Sequence, residues 1–279
     1  MTLAERLRAL FPEASGRSLK QWLEAGRVTV DGQPCRDGRL ELGSDAQVAL
    51  GGRRRARFPG ELALVHEDDA LLVVVKPSGL LTIATERERE RTAYRLLWDY
   101  LAAKQAAKQA AKPAAKQARP FIVHRLDRET SGLLVFAKSE EVKRALQAQF
   151  EARTVERVYR ALVEGRPARE QGTLESRLAE DRMLRVRSAE RGRVAITHYR
   201  VLAARRDGTV LELRLGTGRR HQIRVQLAEA GWPIVGDVAH GGPRGATGRL
   251  CLHATRLGFV HPATGAPVVF ESAPPADWV

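Results

Sequence analysis

The stretch "HRLDRETSGLLVFAKS", residues 124–139, sets a carboxylate, Asp127, between Arg125 and Arg128 at the mouth of an apolar run. At a surface, an acidic side chain between arginines is a salt bridge of little consequence. Here "GLLVFA" reads as a strand entering a core, so Asp127 lies near a core edge, where a charge requires a partner. Behind it, Thr130, Ser131 and Gly132 supply the small and hydroxyl side chains of a tight turn lining a cleft. A second charged motif, "TGRRHQIR" (217–224), also opens an apolar helix. On these residues alone a catalytic Asp127 and a surface ion pair both stand.

The elements that must carry these motifs can be read from hydrophobic spacing. "SEEVKRALQAQFEAR" puts Val142, Leu146 and Phe150 on one helical face, with Ser139 in place to cap it. "RRHQIRVQLAEAG" reads as a helix closed by Gly231. Strands are expected in "LALVHEDDALLVVVK", "VYRALVEG", "RVAITHYRVLAAR", "TVLELRLGTG" and "LCLHATRLGFVHP". "TAYRLLWDYLAA" is helical by spacing. The low-complexity stretch 103–119 that follows, with Lys at 104, 108, 112 and 116 and an interrupting Pro113, reads as a solvated, partly disordered insertion. The fold class is α/β in the α+β sense, a mixed, largely antiparallel sheet with many long-range strand pairings.

Residues 1–52 read as a separate small α+β unit of two short helices and alternating strands. Arg17, Lys20 and Arg27 lie on or beside its second helix, for which Ser15 or Ser18 is the expected cap. Residues 53–60 form a basic linker, and the large domain spans 61–279.

The 279-residue chain carries 47 Lys and Arg against 33 acidic residues, a net charge of +14. That excess favours a polyanionic partner; the plainer reading is a soluble, arginine-rich protein. Two cysteines, Cys35 and Cys251, exclude a disulfide framework, and the histidines show no metal-ligand spacing with them. No apolar run is long enough to cross a bilayer. The N-terminal "MTLAERLRALF" carries acidic Glu5 and no small-residue cleavage site, so a cytoplasmic protein is expected.

"HRLDRETSGLLVFAKS" resembles the signature of the RluA-type pseudouridine synthases: His-Arg-Leu-Asp, two variable residues, then Thr-Ser-Gly. Four further segments are similar to that family in the right order: "VHEDDALLVVVKPSGLL" (65–81), "VERVYRALVEG" (155–165), "LRLGTGRRHQIRVQLAEAGWPIVGD" (213–237) and "LCLHATRLGFVHPATG" (250–265). Separately, "SGRSLKQWLEAGRVTVDGQPC" resembles the small RNA-binding domain shared by a small-subunit ribosomal protein and tyrosyl-tRNA synthetase.

The resemblance implies isomerisation of uridine to pseudouridine, most naturally in ribosomal RNA, with no cofactor and no metal. It makes Asp127 the essential carboxylate, as nucleophile or base, Arg224 its partner, and Tyr159 the active-site tyrosine that stacks on the uracil or shuttles a proton. Such an enzyme must extrude its base, and Arg125 is the candidate to fill the vacated space. His124, Thr130, Arg219, Arg220, His221 and Gln222 are the remaining expected RNA contacts, with Arg17, Lys20 and Arg27 in the N-terminal unit. Departures from the family pattern are Arg157 in place of lysine, Gln226 where a histidine often sits, and His240 at a tyrosine position. A monomer is expected, since nothing marks an obligate interface. The competing readings are a non-catalytic RNA-binding or assembly factor and a carboxylate-dependent hydrolase, which would generally want a second acid across the bond.

Overall fold

The structure, a computed structural model, describes residues 1–24, 26–51, 57–86, 88–108, 118–181, 183 and 185–278. They divide into two compact units, the smaller built around residues 1–57 and the larger on 58–106 and 112–279. Much of the expected basic linker, and residues 109–117 of the Lys/Ala insertion, lie outside the described residues.

In the smaller unit, helix α1 (Leu3–Leu10) starts at a reciprocal cap in which Thr2 and Glu5 satisfy each other's backbone amides. Helix α2 (Gly16–Glu24) follows, and Ser15, one of the two expected caps, accepts the Ser18 amide at 3.2 Å. Strands β1 (Val28–Val30), β2 (Gln33–Pro34) and β3 (Val48–Leu50) form an antiparallel sheet in the order β2-β1-β3. Leu3, Leu7, Leu19, Leu23 and Val28 close the core beneath it.

The larger unit begins with the hairpin β4 (Ala63–Glu67) and β5 (Leu71–Lys76), whose turn is fixed by Asp68 accepting the Ala70 and Leu71 amides. Helix α3 (Ala93–Lys108), the short β6 (Phe121–Ile122) and β7 (Ser131–Ala137) come next. Helix α4 (Glu140–Glu151) is capped as expected by Ser139, which accepts the Val142 amide. The chain continues through β8 (Glu156–Val163), β9 (Gln171–Glu180), β10 (Val186–Ser188), β11 (Arg193–Arg205) and β12 (Gly208–Leu215). Helix α5 (Gln222–Glu229) and strands β13 (Leu252–Val260) and β14 (Pro267–Glu271) complete it.

The sheet runs β10-β9-β11-β12-β8-β13-β7-β5-β4, with β14 on β13 and β6 on β7. Among the described strands β13 and β7 pair in parallel and the rest antiparallel, so the mixed, largely antiparallel class expected from the sequence holds. Every residue of β7 is buried, which is what a continuous apolar run predicts for a central strand covered on both faces. Leu71, Val73, Leu133 and Val135 pack there against Leu146 of α4 and Leu257 of β13; each such aliphatic side chain contributes about 1.5–3 kcal/mol. Gly132 is required at the parallel seam. Its φ is 119°, and a Cβ would stand 2.4 Å from the Ala254 backbone. The motif glycine thus lets β7 lie against β13, with the Asp127 turn just before it.

Candidate active site

Two turns clasp each other to hold Asp127. One is "KPSGLLT" (76–82) at the end of β5; the other is residues 126–130 leading into β7. Lys76, with no exposed surface, donates from Nζ to the carbonyls of Pro77 and Leu80 at 2.8 Å and of Arg128 at 3.1 Å. Burial lowers its ammonium to about 7, with the charges of Asp127 and Glu129 opposing the fall. Ser78 Oγ donates to the Glu129 carbonyl at 2.6 Å, and Thr82 Oγ1 donates to the Leu126 carbonyl at 2.8 Å. The Thr130 amide closes the turn on the Asp127 carbonyl. The backbone of Asp127 is therefore fixed from both sides, and its side chain keeps 18% of its surface open to solvent.

The arginines beside it in sequence are not its partners. Arg128 turns to the Gly79 carbonyl, and Arg125 is exposed. Two groups at the start of α5 face Asp127: Arg224 Nη1 and, from the residue that precedes the helix, His221 Nε2, each 3.9 Å from Oδ2. Burial lowers the His221 imidazole, so the arginine is the cation of the pair. Arg224 is 4% exposed and anchored by a residue the sequence reading did not single out. Asp237, 1% exposed, accepts from Arg224 Nε at 2.8 Å and Nη2 at 2.7 Å, a bidentate fork. Burial alone would lower the arginine's value; the Asp237 bonds outweigh it and hold the guanidinium more firmly charged. Gly236 makes this geometry accessible, since its φ is 85° and a Cβ would lie 1.9 Å from the Arg249 carbonyl. Arg224 thus pairs with Asp127 at 3.9 Å, as expected from the sequence, but its shorter bonds go to Asp237, and Glu129 stands at 3.2 Å from Nη1. A carboxylate one glycine beyond the apolar run "WPIV", as Asp127 stands shortly before one, was the signal for Asp237.

Asp127, Tyr159 and Arg224 line one cleft of about 670 Å³. Tyr159 stands on β8, paired with Leu213 of β12 and Ala254 of β13. Burial pushes its hydroxyl up to about 12, with Arg157 pulling it down and Asp127 adding to the rise, so it is a neutral donor at working pH. Arg125, Arg219, Arg220 and His221 also line the cleft. Arg220 pairs with Glu180, and Arg219 Nε donates to the Val194 carbonyl at 3.3 Å.

Three further expected RNA contacts, Gln222, His124 and Thr130, also line the cleft, and the first two bond to the scaffold around it. The Oε1 of Gln222, 3% exposed, accepts from Thr217 Oγ1 and the Arg219 amide, while its Nε2 donates to the Ile196 carbonyl and Thr197 Oγ1. This set of bonds also explains why α5 begins at Gln222 rather than at Arg219. Residues 217–221 are drawn into a turn around the Gln222 amide, with His221 in the left-handed region (φ 51°). His124 Nε2 accepts the Val135 amide at 3.2 Å, its ring stacks on Phe150, and burial holds it neutral by lowering it to about 3. Thr130 is buried, 3% exposed, in the turn. Gln226, noted as a departure from the family, is buried too and donates to Leu174, Ser176 and Ala195. In the smaller unit Arg17 and Lys20 are exposed, whereas Arg27 folds back over the Trp22 ring and onto the Gly51 carbonyl.

The arrangement presents a carboxyl group, a fixed guanidinium and a protonated phenol around a space large enough for a base. A family model described as RNA pseudouridylate synthase matches residues 70–229, a span that contains all three. The chain belongs to the RNA pseudouridylate synthase family. Its relatives include "Ribosomal large subunit pseudouridine synthase D" of Pseudomonas aeruginosa, 36% identical over 97% of this chain and 87% of that protein. The protein of the same name from Escherichia coli is 32% identical over 99% of this chain and 88% of the relative. Among solved structures, human RNA pseudouridylate synthase domain containing 4 superposes with a TM-score of 0.60, covering 77% of this chain and 90% of that one. At 23% identity this likeness speaks to the fold.

Pseudouridine synthases break the glycosidic bond from nitrogen-1, turn the uracil and join carbon-5 to the ribose. The carbon-5 proton leaves and nitrogen-1 gains one, so atoms balance without an external reagent. No group of three or more potential metal ligands occurs among the described residues. No helix among them is long and apolar enough to cross a membrane.

Proposed function

We propose that this pseudouridine synthase modifies uridines of ribosomal RNA in the cytoplasm, acting as a monomer, with Asp127 as the reacting carboxylate. The observation that carries this reading is the convergence of Asp127, Tyr159 and Arg224 on one cleft from three separate parts of the chain. Arg224 and His221 face Oδ2 of Asp127, the group that attacks the ribose or takes its proton. Tyr159 borders the uracil. Arg125 enters the space left by the flipped base, and Arg219, Arg220 and His221 meet the backbone. Residues 1–52 add a second RNA contact through Arg17, Lys20 and Arg27, raising affinity by linkage. The ribosomal substrate is supported by the names of the relatives and by the net charge of +14.

The test is a pseudouridine map of ribosomal and transfer RNA from cells with and without the gene, with wild-type or Asp127→Asn protein returned. A modified position that vanishes on deletion and returns only with the wild-type chain is expected in ribosomal RNA. A map unchanged on deletion would overturn the reading and favour a binding factor.

A further inference from the structure

Arg224 Nη1 carries two hydrogens and faces three acceptors: Glu129 Oε2 at 3.2 Å, His221 Nε2 at 3.5 Å and Asp127 Oδ2 at 3.9 Å. The residue with the chemistry to react stands last in line. We propose that Glu129 is a positioning residue that holds Arg224 Nη1 away from Asp127 until RNA enters the cleft.

Of the groups around this guanidinium, Glu129 is the one free to leave. Asp237 is buried and grips the opposite edge through two short bonds. His221 is held by its left-handed backbone and by Nδ1 against His240 Nε2 at 3.2 Å. Glu129 has a side chain 47% exposed, while Ser78 pins its backbone carbonyl. Rotation about the side-chain bonds therefore frees the carboxylate without disturbing the Asp127 turn. An incoming phosphate backbone approaches that carboxylate from solvent, where it is the more exposed of the two, and like-charge repulsion at short range favours its outward rotamers. Once it swings out, Nη1 needs to close about 1 Å to reach hydrogen-bond distance of Asp127. The ion pair that orients the reacting carboxylate thus forms with substrate present.

The inference rests on Asp127 being the reacting carboxylate. Failure of that reading shows as activity in Asp127→Asn; failure of this one leaves Asp127→Asn inactive and appears in the Glu129 variants. Those are Glu129→Asp, which keeps the charge but is too short to reach Nη1, and Glu129→Ala, in the full-length chain. Both should raise kcat/KM for RNA about threefold to tenfold, the change carried by a lower KM, since one hydrogen bond no longer has to break on binding. A structure of RNA-free Glu129→Ala should show Arg224 Nη1 within about 3.2 Å of Asp127. A Glu129→Asp protein with the wild-type KM would reduce the effect to bulk charge and overturn the proposal. So would a fall in kcat/KM, or a guanidinium that stays at its present distance in the Ala variant.

Discussion

Arg224 and Arg125 line the same cleft, one on its floor and one on its rim. The floor arginine is 4% exposed, and its Nε, Nη1 and Nη2 all have acceptors within 3.2 Å. The rim arginine is exposed and holds neither ion pair nor hydrogen bond among the described residues. The contrast extends to their neighbours. Around the floor, buried Lys76, Gln222 and Gln226 spend their polar atoms on carbonyls, hydroxyls and a backbone amide of the scaffold. On the rim, Arg153 is exposed on a left-handed turn, φ 59°. A group that must meet a reacting atom gains from having its orientation fixed before substrate arrives. A group that must follow an RNA backbone gains from keeping its freedom, because counterion release depends on charge and tolerates many geometries.

Four perturbations break or sharpen this contrast. The largest effect is expected from Asp237→Ala, which leaves a buried guanidinium edge unpaired. It should cost about 3–5 kcal/mol in chemical denaturation and lower the single-turnover rate by about 100-fold as Arg224 loses its aim. Next is Gln222→Leu, which strips partners from Thr217, Thr197 and the Arg219 amide. A loss of about 2–3 kcal/mol is expected, read as a shift in the denaturation midpoint at constant slope.

The third perturbation is acid. His253 is 2% exposed, bonded to Ser131 and Ser272, and burial lowers it to about 4; His124 behaves alike. The unfolded chain takes up protons at these histidines below about 6.5, where the folded chain does not. Stability should therefore fall as pH drops from about 6.5 towards 4, by up to about 1.4 kcal/mol per pH unit for each fully resisting histidine. Denaturation midpoints across that range check it, and His253→Gln should flatten the slope.

The smallest structural effect belongs to the rim. Arg125→Ala should change stability by less than about 0.5 kcal/mol. It should raise KM for RNA several-fold and reduce the salt dependence of binding by about one unit of slope. A rim variant that destabilised the fold as Asp237→Ala does would erase the distinction.

The floor and the rim also differ in how far they were legible in the sequence. Helix α4 with its Ser139 cap, the central strand β7, and the meeting of Asp127, Tyr159 and Arg224 followed from apolar spacing and motif resemblance. The strand β9 did not, because Leu174 and Leu178 are its only aliphatic residues larger than alanine and its exposure alternates in a largely polar run. Strand β14 was hidden in the Pro- and Gly-rich tail. Among charged and polar residues, spacing cannot say which way a side chain turns. Gln222 and Arg219 stand three residues apart in one motif and both line the cleft, yet Gln222 is 3% exposed with its amide bonded to the scaffold and Arg219 is half-buried. Asp237 lies 13 residues from Arg224, beyond the reach of a helical repeat. Only the closure of the loop after α5 brings them together.

The central claim is that the Asp127 carboxylate carries the isomerisation. Carbon-5 loses its hydrogen when pseudouridine forms, so RNA labelled with tritium at carbon-5 of uridine reports turnover by release into water. The purified wild-type chain should release tritium from ribosomal RNA fragments, and Asp127→Asn, matched for folding and RNA binding, should release none above background. Release by Asp127→Asn within tenfold of wild type would contradict the account.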